Sequence, residues 1–274
     1  MMAFRLKMRI GIIGYGVVGK AAAKTFSQKY ELIKYDKYMN LDSFEDLIRC
    51  EYVFIMVPTP FDCSKGKVDD KAVTDSLEML DKLNFPNIVI IKSTLPPGFC
   101  KKYLERYNLK ICFNPEFLRE STTPDEDFKN QHTIVIGTDS LEIYESVKNM
   151  YLPIVIPKAK FYHTSLTEAE MIKCAQNAML ASRVALANVI YDACIDNSLE
   201  YDNIRKIAFD SFEILGPHMV KVPGPDGKRG FGGKCLPKDI RALNSVYNSD
   251  IFDKIINYND TLRGDLSSVL NNFD

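Results

Sequence analysis

MRIGIIGYGVVG (residues 8–19) decides how this chain folds. An apolar run stops at Ile13, and glycines follow at positions 14, 16 and 19. That order is a strand, a tight turn and the opening of a helix. Gly14 permits the turn, Gly16 lets the backbone approach a pyrophosphate, and Gly19 lets the helix pack on the strand. Tyr15, Val17 and Val18 complete the loop, and the helix start offers N–H groups and a positive dipole to phosphates. A glycine triplet alone is a weak signal, but here the second strand ends at Asp36, 20 residues after Gly16. A carboxylate at that place hydrogen-bonds ribose hydroxyls and repels a 2′-phosphate, which favours NAD over NADP. Lys37 beside it pulls the other way.

Outward from this stretch, short apolar segments alternate with amphipathic ones. Strands are expected at 8–13, 31–35, 52–57, 87–92, 110–113, 133–137 and 153–156, with helices at about 17–29, 70–83 and 140–150. Near-continuous apolar strands joined by helices predict an α/β fold, a Rossmann-like doubly wound parallel sheet. After Ser165 the strand signal stops. A helix from Thr167 to Asn197 is expected, then helices near 202–214, 237–248 and 251–269, so an all-helical domain follows. The expected division is a cofactor domain over 1–164 and a helical domain over 165–274. The glycine-rich loop 223–237 is read as too open for core. VPTP (57–60) and STLPPG (93–98) follow the third and fourth strands. Ligands in such sheets bind beyond the carboxyl ends of the strands, so Pro58, Thr59 and Thr94 are candidate contacts, although each motif singly could be a plain turn.

Composition sets wider limits. The 274 residues suit about two domains. A net charge of −1 with no basic stripe argues against nucleic acid or an anionic membrane as partner. Seven scattered cysteines form no disulfide framework and indicate a reducing, cytoplasmic setting. The apolar run 10–13 is too short for a secretory signal or a membrane span. His132, His163 and His218 have no metal-ligand spacing, and no metal is expected. Cys50, Cys112, Cys174 and Cys194 are read as core.

NPEFLRE (114–120), EAEMIKCAQNAMLASRVALAN (168–188) and GFGGKCLPKD (230–239), with the motifs above, resemble the nucleotide-sugar dehydrogenases. The resemblance is closest to the UDP-glucose 6-dehydrogenase type, with GDP-mannose and UDP-N-acetylmannosamine dehydrogenases as relatives. It implies a four-electron oxidation of a nucleotide sugar with NAD, through a cysteine thiohemiacetal and thioester. It implies Cys235 as nucleophile, Lys173 and Asn177 as oxyanion stabilisers, Asp239 and Glu120 as water and proton handlers, and Thr94 as a contact to that water; Thr94 and Glu120 also border the cofactor. Glu116, Phe117, Leu118, Arg119, Lys221, Gly230, Phe231, Gly232 and Gly233 are implied around the substrate, together with Lys173 and Asn177. It implies a homodimer through the helical domain.

The residues agree with these roles. Lys173 and Asn177, four apart, share a helix face and suit a developing alkoxide; without the motif they would be a solvated face. Cys235 lies two residues before Pro237, a favoured opening residue of a helix, whose dipole with Lys173 or Lys238 nearby would favour the thiolate. Asp239, one turn on, could orient or deprotonate water. Two departures from the family stand out. Ile214, Leu215 and Gly216 occupy the place of an Arg-Ile-Gly step, so the arginine that reaches the sugar is absent, and Lys221 or Arg229 could replace it. No third, nucleotide-binding domain is visible before Asp274. Competing readings are a two-electron hydroxyacid-type dehydrogenase, which needs no catalytic cysteine, and an NAD-binding remnant, against which the full residue set argues.

Overall fold

The computed structural model describes residues 7–119, 122–216 and 219–264. The chain divides into two units: residues up to Pro60 with Val68–Lys173, and Phe61–Lys67 with the residues from Cys174 onward.

The first unit is built on a sheet whose inner strands are buried on both faces, as their lack of alternation predicts. Its strands are β1 (Arg9–Ile13), β2 (Glu31–Tyr35) and β3 (Tyr52–Ile55), and, after a short ribbon of β4 (Phe61–Asp62) and β5 (Lys67–Val68), β6 (Ile88–Ile91), β7 (Lys110–Phe113), β8 (Thr133–Gly137) and β9 (Lys160–Thr164). Their order in space is β2-β1-β3-β6-β7-β8-β9. β1 pairs in parallel with β2, Ile10 opposite Leu32, and with β3, Ile10 opposite Tyr52. The order reverses between β1 and β3, the place where such folds open a crevice for a ligand.

Alternate strand residues feed two separate cores. Ile13, Val53, Ile55, Val89 and Ile91 pack with Val73, Leu77 and Leu80 of α2 (Lys71–Lys82) and Cys100 and Tyr103 of α3 (Phe99–Arg106). Ile10, Ile12, Phe54 and Ile90 pack on the other face with Ala21, Ala22 and Phe26 of α1 (Val17–Phe26). Phe128 of α4 (Pro124–Lys129) and Val147 and Tyr151 of α5 (Leu141–Tyr151) close that side.

The expected fold holds with three corrections. The sheet is not wholly parallel, because β7 and β8 run antiparallel, Phe113 opposite Gly137. The apolar stretch 153–156 is not a strand: Ile154 and Val155 donate to the Tyr151 carbonyl in turns that continue α5, and their side chains pack on the second core. The edge strand is β9 instead, whose mixed exposure hid it from an apolar pattern. Helix also stops short within 202–214. α7 (Tyr201–Arg205) widens into one π turn ending at Asp210, where the Ser211 N–H and hydroxyl both return to the Lys206 carbonyl.

α6 (Leu166–Asp196) opens with a capping box, Ser165 and Glu168 each satisfying the other's backbone N–H. In the second unit Ala187 and Cys194 of α6 pack with Tyr201, Val220 and Val222. α8 (Leu236–Tyr247) and α9 (Asp250–Arg263) are joined by Arg241–Asp260 and by Asn244 on Asp253 at 2.6 Å. The remainder of the helix expected to 269 lies outside the described residues, as do Glu120 and His218.

Candidate active site

The glycine-rich loop has the shape its sequence predicts. Gly14 has φ +93°, and a Cβ there would meet the Met56 carbonyl oxygen at 2.6 Å. A Cβ on Gly16, by contrast, would meet nothing within 4 Å. Gly16 is the N-cap of α1 and supplies no side chain, so the first N–H groups of that helix remain for a ligand. Asp36, at the end of β2, accepts from the Tyr15 N–H at 2.8 Å and the Tyr38 N–H at 3.0 Å. Its carboxylate is thereby fixed beside the loop. An open Gly16, an uncapped helix start and a placed acid fit the pyrophosphate and a ribose of NAD. Lys37 turns to the Tyr38 ring, with its ammonium 5.9 Å from the centroid.

The two strand-end loops are tied together. The Thr59 hydroxyl donates to the Thr94 carbonyl at 2.8 Å, and Ser93 donates to the Val57 carbonyl at 2.7 Å. Thr59 is therefore committed to its neighbour loop, whereas Thr94 is half-buried and Pro58 exposed.

NPEFLRE is shaped from below. Glu116 accepts from the Phe117 and Leu118 N–H groups at 2.9 and 3.1 Å and pairs with Lys92 at 3.0 Å. Lys92 is buried and also donates to Asn114, which the Tyr151 hydroxyl reaches at 2.7 Å. Glu116 thus holds its own loop. Arg119 forms a fork on Asp127, 2.7 and 2.9 Å. The Lys173 ammonium lies 5.3 Å over the Phe117 ring, and Lys173 is buried, not on a solvated face.

In the second unit Cys235 is the N-cap of α8, half-buried, with the dipole of the helix behind it. Asp239 in the first turn is fully buried. It receives the Asn177 amide from α6 and pairs with Lys238 at 2.5 Å. Asn177 and Asp239, separate in sequence, therefore meet. The loop before Cys235 is more built than its glycines suggest, and Gly230 and Phe231 are buried. Asn188 accepts from Gly230 N–H at 3.1 Å, and Asn259 from Phe231 N–H at 2.6 Å. Arg263 donates to Asp226 at 2.6 Å and to the Gly230 carbonyl at 2.9 Å, and occupies the place of a side chain on Gly232. Gly233 faces open space.

Of the two candidate stand-ins for the absent arginine, Arg229 is already engaged, paired with Asp192 at 2.5 Å and stacked over Tyr191. Lys221 is exposed, and Ile214 is 92% exposed. The sequence reading gave no role to Lys92, Asn114, Asn188, Asn259 and Arg263, although Asn114 opens NPEFLRE and Asn188 closes the stretch 168–188. Cys50, Cys112, Cys174 and Cys194 are buried as expected, and so is Cys100. Burial pushes the Cys50 and Cys112 thiols up to about 12. Among the described residues no His, Cys, Asp and Glu cluster could hold a metal.

These features define a dinucleotide-binding α/β protein joined to a helical unit with a cysteine at a helix start. Residues 38–155 match the NAD binding domain of the UDP-glucose/GDP-mannose dehydrogenase family, and residues 167–261 match the central domain of that family. The chain belongs to the UDP-glucose/GDP-mannose dehydrogenase family. It is 34% identical over 242 residues to a UDP-glucose 6-dehydrogenase of Rickettsia bellii, covering 85% of this chain and 53% of that protein. It is 30% identical over 212 residues to one of Pseudomonas aeruginosa, 73% of this chain and 45% of that protein. The chain spans about half the length of the curated relatives it matches. Its fold is that of a UDP-glucose dehydrogenase from Pyrobaculum islandicum, with TM-score 0.81, 21% identity, and coverage of 95% of this chain and 70% of that one. A UDP-D-ManNAc dehydrogenase from Pyrococcus horikoshii aligns at TM-score 0.80 and 21% identity, over 96% and 71%.

Proposed function

We propose that this chain carries out the NAD-dependent four-electron oxidation of a nucleotide sugar, UDP-glucose to UDP-glucuronate. The observation that carries the proposal is Cys235 at the start of α8, one turn from a buried Asp239 that is held by Asn177. NAD, when bound, takes the hydride at each of the two oxidations.

The chain's residues do the rest. Cys235 adds to the aldehyde carbon produced by the first oxidation and forms a thiohemiacetal, whose second oxidation leaves a thioester. Lys173 and Asn177, one turn apart on α6, stabilise the alkoxide that develops during the addition. Asp239 positions the water that releases the acid and restores the thiol, and Glu120 and Thr94 are the further candidates for handling that water and its protons. Gly14 to Gly19 and Asp36 hold the cofactor, and residues 116–119 and, in the other unit, 230–233 are each candidate sugar contacts. The exposed Lys221 is the candidate to meet the substrate in place of the absent arginine, since Arg229 is engaged.

α6 is apolar and long enough, by length and composition, to cross a membrane. We read its exposed Met179, Leu186, Val189 and Ile190 as a dimer face, with residues 165–274 as the dimerising part. Light scattering tests this: a dimer is expected, and Leu186→Glu should yield monomer. For the activity, NADH formation is followed across UDP-glucose, GDP-mannose and UDP-N-acetylmannosamine. UDP-glucose should be used best. Lys173→Ala should lower kcat by about 10²–10³, the usual loss for one oxyanion donor, and leave cofactor binding unchanged.

A further inference from the structure

Glu170 lies on α6, fully buried, and has no part in the chemistry above. Its two oxygens accept from the Gly98 N–H at 2.6 Å and the Cys100 N–H at 2.7 Å, at the N-terminus of α3. An anion there is favoured by the helix dipole. Burial nevertheless pushes this carboxyl above the ordinary glutamate range. The burial penalty works against the two bonds, so this carboxyl is a costly way to start α3.

The place of the loop it grips explains its presence. Gly98 closes STLPPG, and Thr59 grips the same loop at its other end through the Thr94 carbonyl. β3 and β6 lie on the opposite side of β1 from β2. With the pyrophosphate at α1 and one ribose at Asp36, the loops after β3 and β6 are left for the other half of the dinucleotide. Glu170 also stands one turn before Lys173 on the same helix.

We propose that Glu170 is a positioning residue that clamps STLPPG to α6 and so sets the loop that receives the nicotinamide nucleoside. The proposal rests on the NAD reading above, and its test uses cofactor binding alone, with no sugar. Glutamine at 170 keeps one acceptor and turns an amide N–H towards the second backbone N–H. Glu170→Gln should raise the Kd for NADH, read by fluorescence titration, about tenfold, or about 1.4 kcal/mol. Glu168→Gln is the control, because Glu168 is exposed and caps α6 itself. It should lower the melting temperature without moving that Kd.

A folded Glu170→Gln chain with the wild-type Kd overturns the proposal, as does an equal loss in Glu168→Gln, which would show general loosening. If the glutamine variant does not fold, Glu170→Asp keeps the charge one methylene too short for both bonds. It should weaken NADH about threefold or more by losing part of a charge-assisted bond, and wild-type affinity there overturns the proposal. A wild-type chain that binds no NADH overturns the cofactor reading itself, which separates that failure from this one.

Discussion

Replacing Lys92 by methionine tests how the NPEFLRE loop is held. Lys92 is enclosed, its side chain 0% exposed against 11% for Glu116, with the two 3.0 Å apart. Methionine fills much of the same volume but leaves Glu116 charged and without its cation. Breaking a buried pair from one side costs about 3–5 kcal/mol. Glu116 keeps its two backbone N–H donors, so the lower end, about 3 kcal/mol, is expected. That is a large part of the roughly 5–15 kcal/mol by which a domain is stable. With a urea slope of about 1–3 kcal/mol/M the midpoint should fall by about 1 M or more. Lys92→Met with Glu116→Gln removes both charges and keeps an acceptor for the loop, and should recover most of the loss. Urea unfolding followed by circular dichroism measures both variants. A single variant within about 1 kcal/mol of the wild type, or a double variant no better than the single, would refute the reasoning.

The two glycines of the loop should separate stability from binding. Gly14→Ala meets the Met56 carbonyl at positive φ and should lower the melting temperature, whereas Gly16→Ala meets no protein atom and should lose NADH affinity with little change in melting. Asp36→Asn, in the same titration, should narrow the preference for NAD over NADP, and an unchanged ratio would remove Asp36 from cofactor choice. In alkali, Cys50, Cys112, Tyr30 and Tyr201 hold their protons to about 12 in the folded chain because of burial, above ordinary values of 9.0 and 10.0. The unfolded chain releases these protons first, so their contribution is intact below pH 9 and is lost progressively up to about pH 12. Stability that does not fall across that window in urea melts would contradict the burial.

Legibility in the sequence followed from how local each signal was. The Gly14–Gly19 turn, the buried parallel strands and the long α6 are written in neighbouring residues and could be read directly. Cys235 at a helix start was legible from Pro237 two positions on. The antiparallel β7–β8 pair was not, because strand direction depends on where the chain returns in space. β9 was hidden by polar residues at an edge, while Ile154 and Val155 imitated a strand although they pack from turns. Asn259 and Arg263 hold the Phe231 and Gly230 backbones from a helix about thirty residues away, a distance over which no spacing rule operates. The Lys92–Glu116 pair is of the same kind, since either residue alone looks like a surface charge.

The account turns on a thioester at Cys235, and the stoichiometry of NADH tests it most directly. UDP-glucose supplied as the limiting reagent should yield two NADH per sugar consumed, with UDP-glucuronate as the product. Cys235→Ser should lose that turnover and still bind NADH. One NADH per sugar with a free aldehyde as product, or two NADH from the serine variant, would contradict the account.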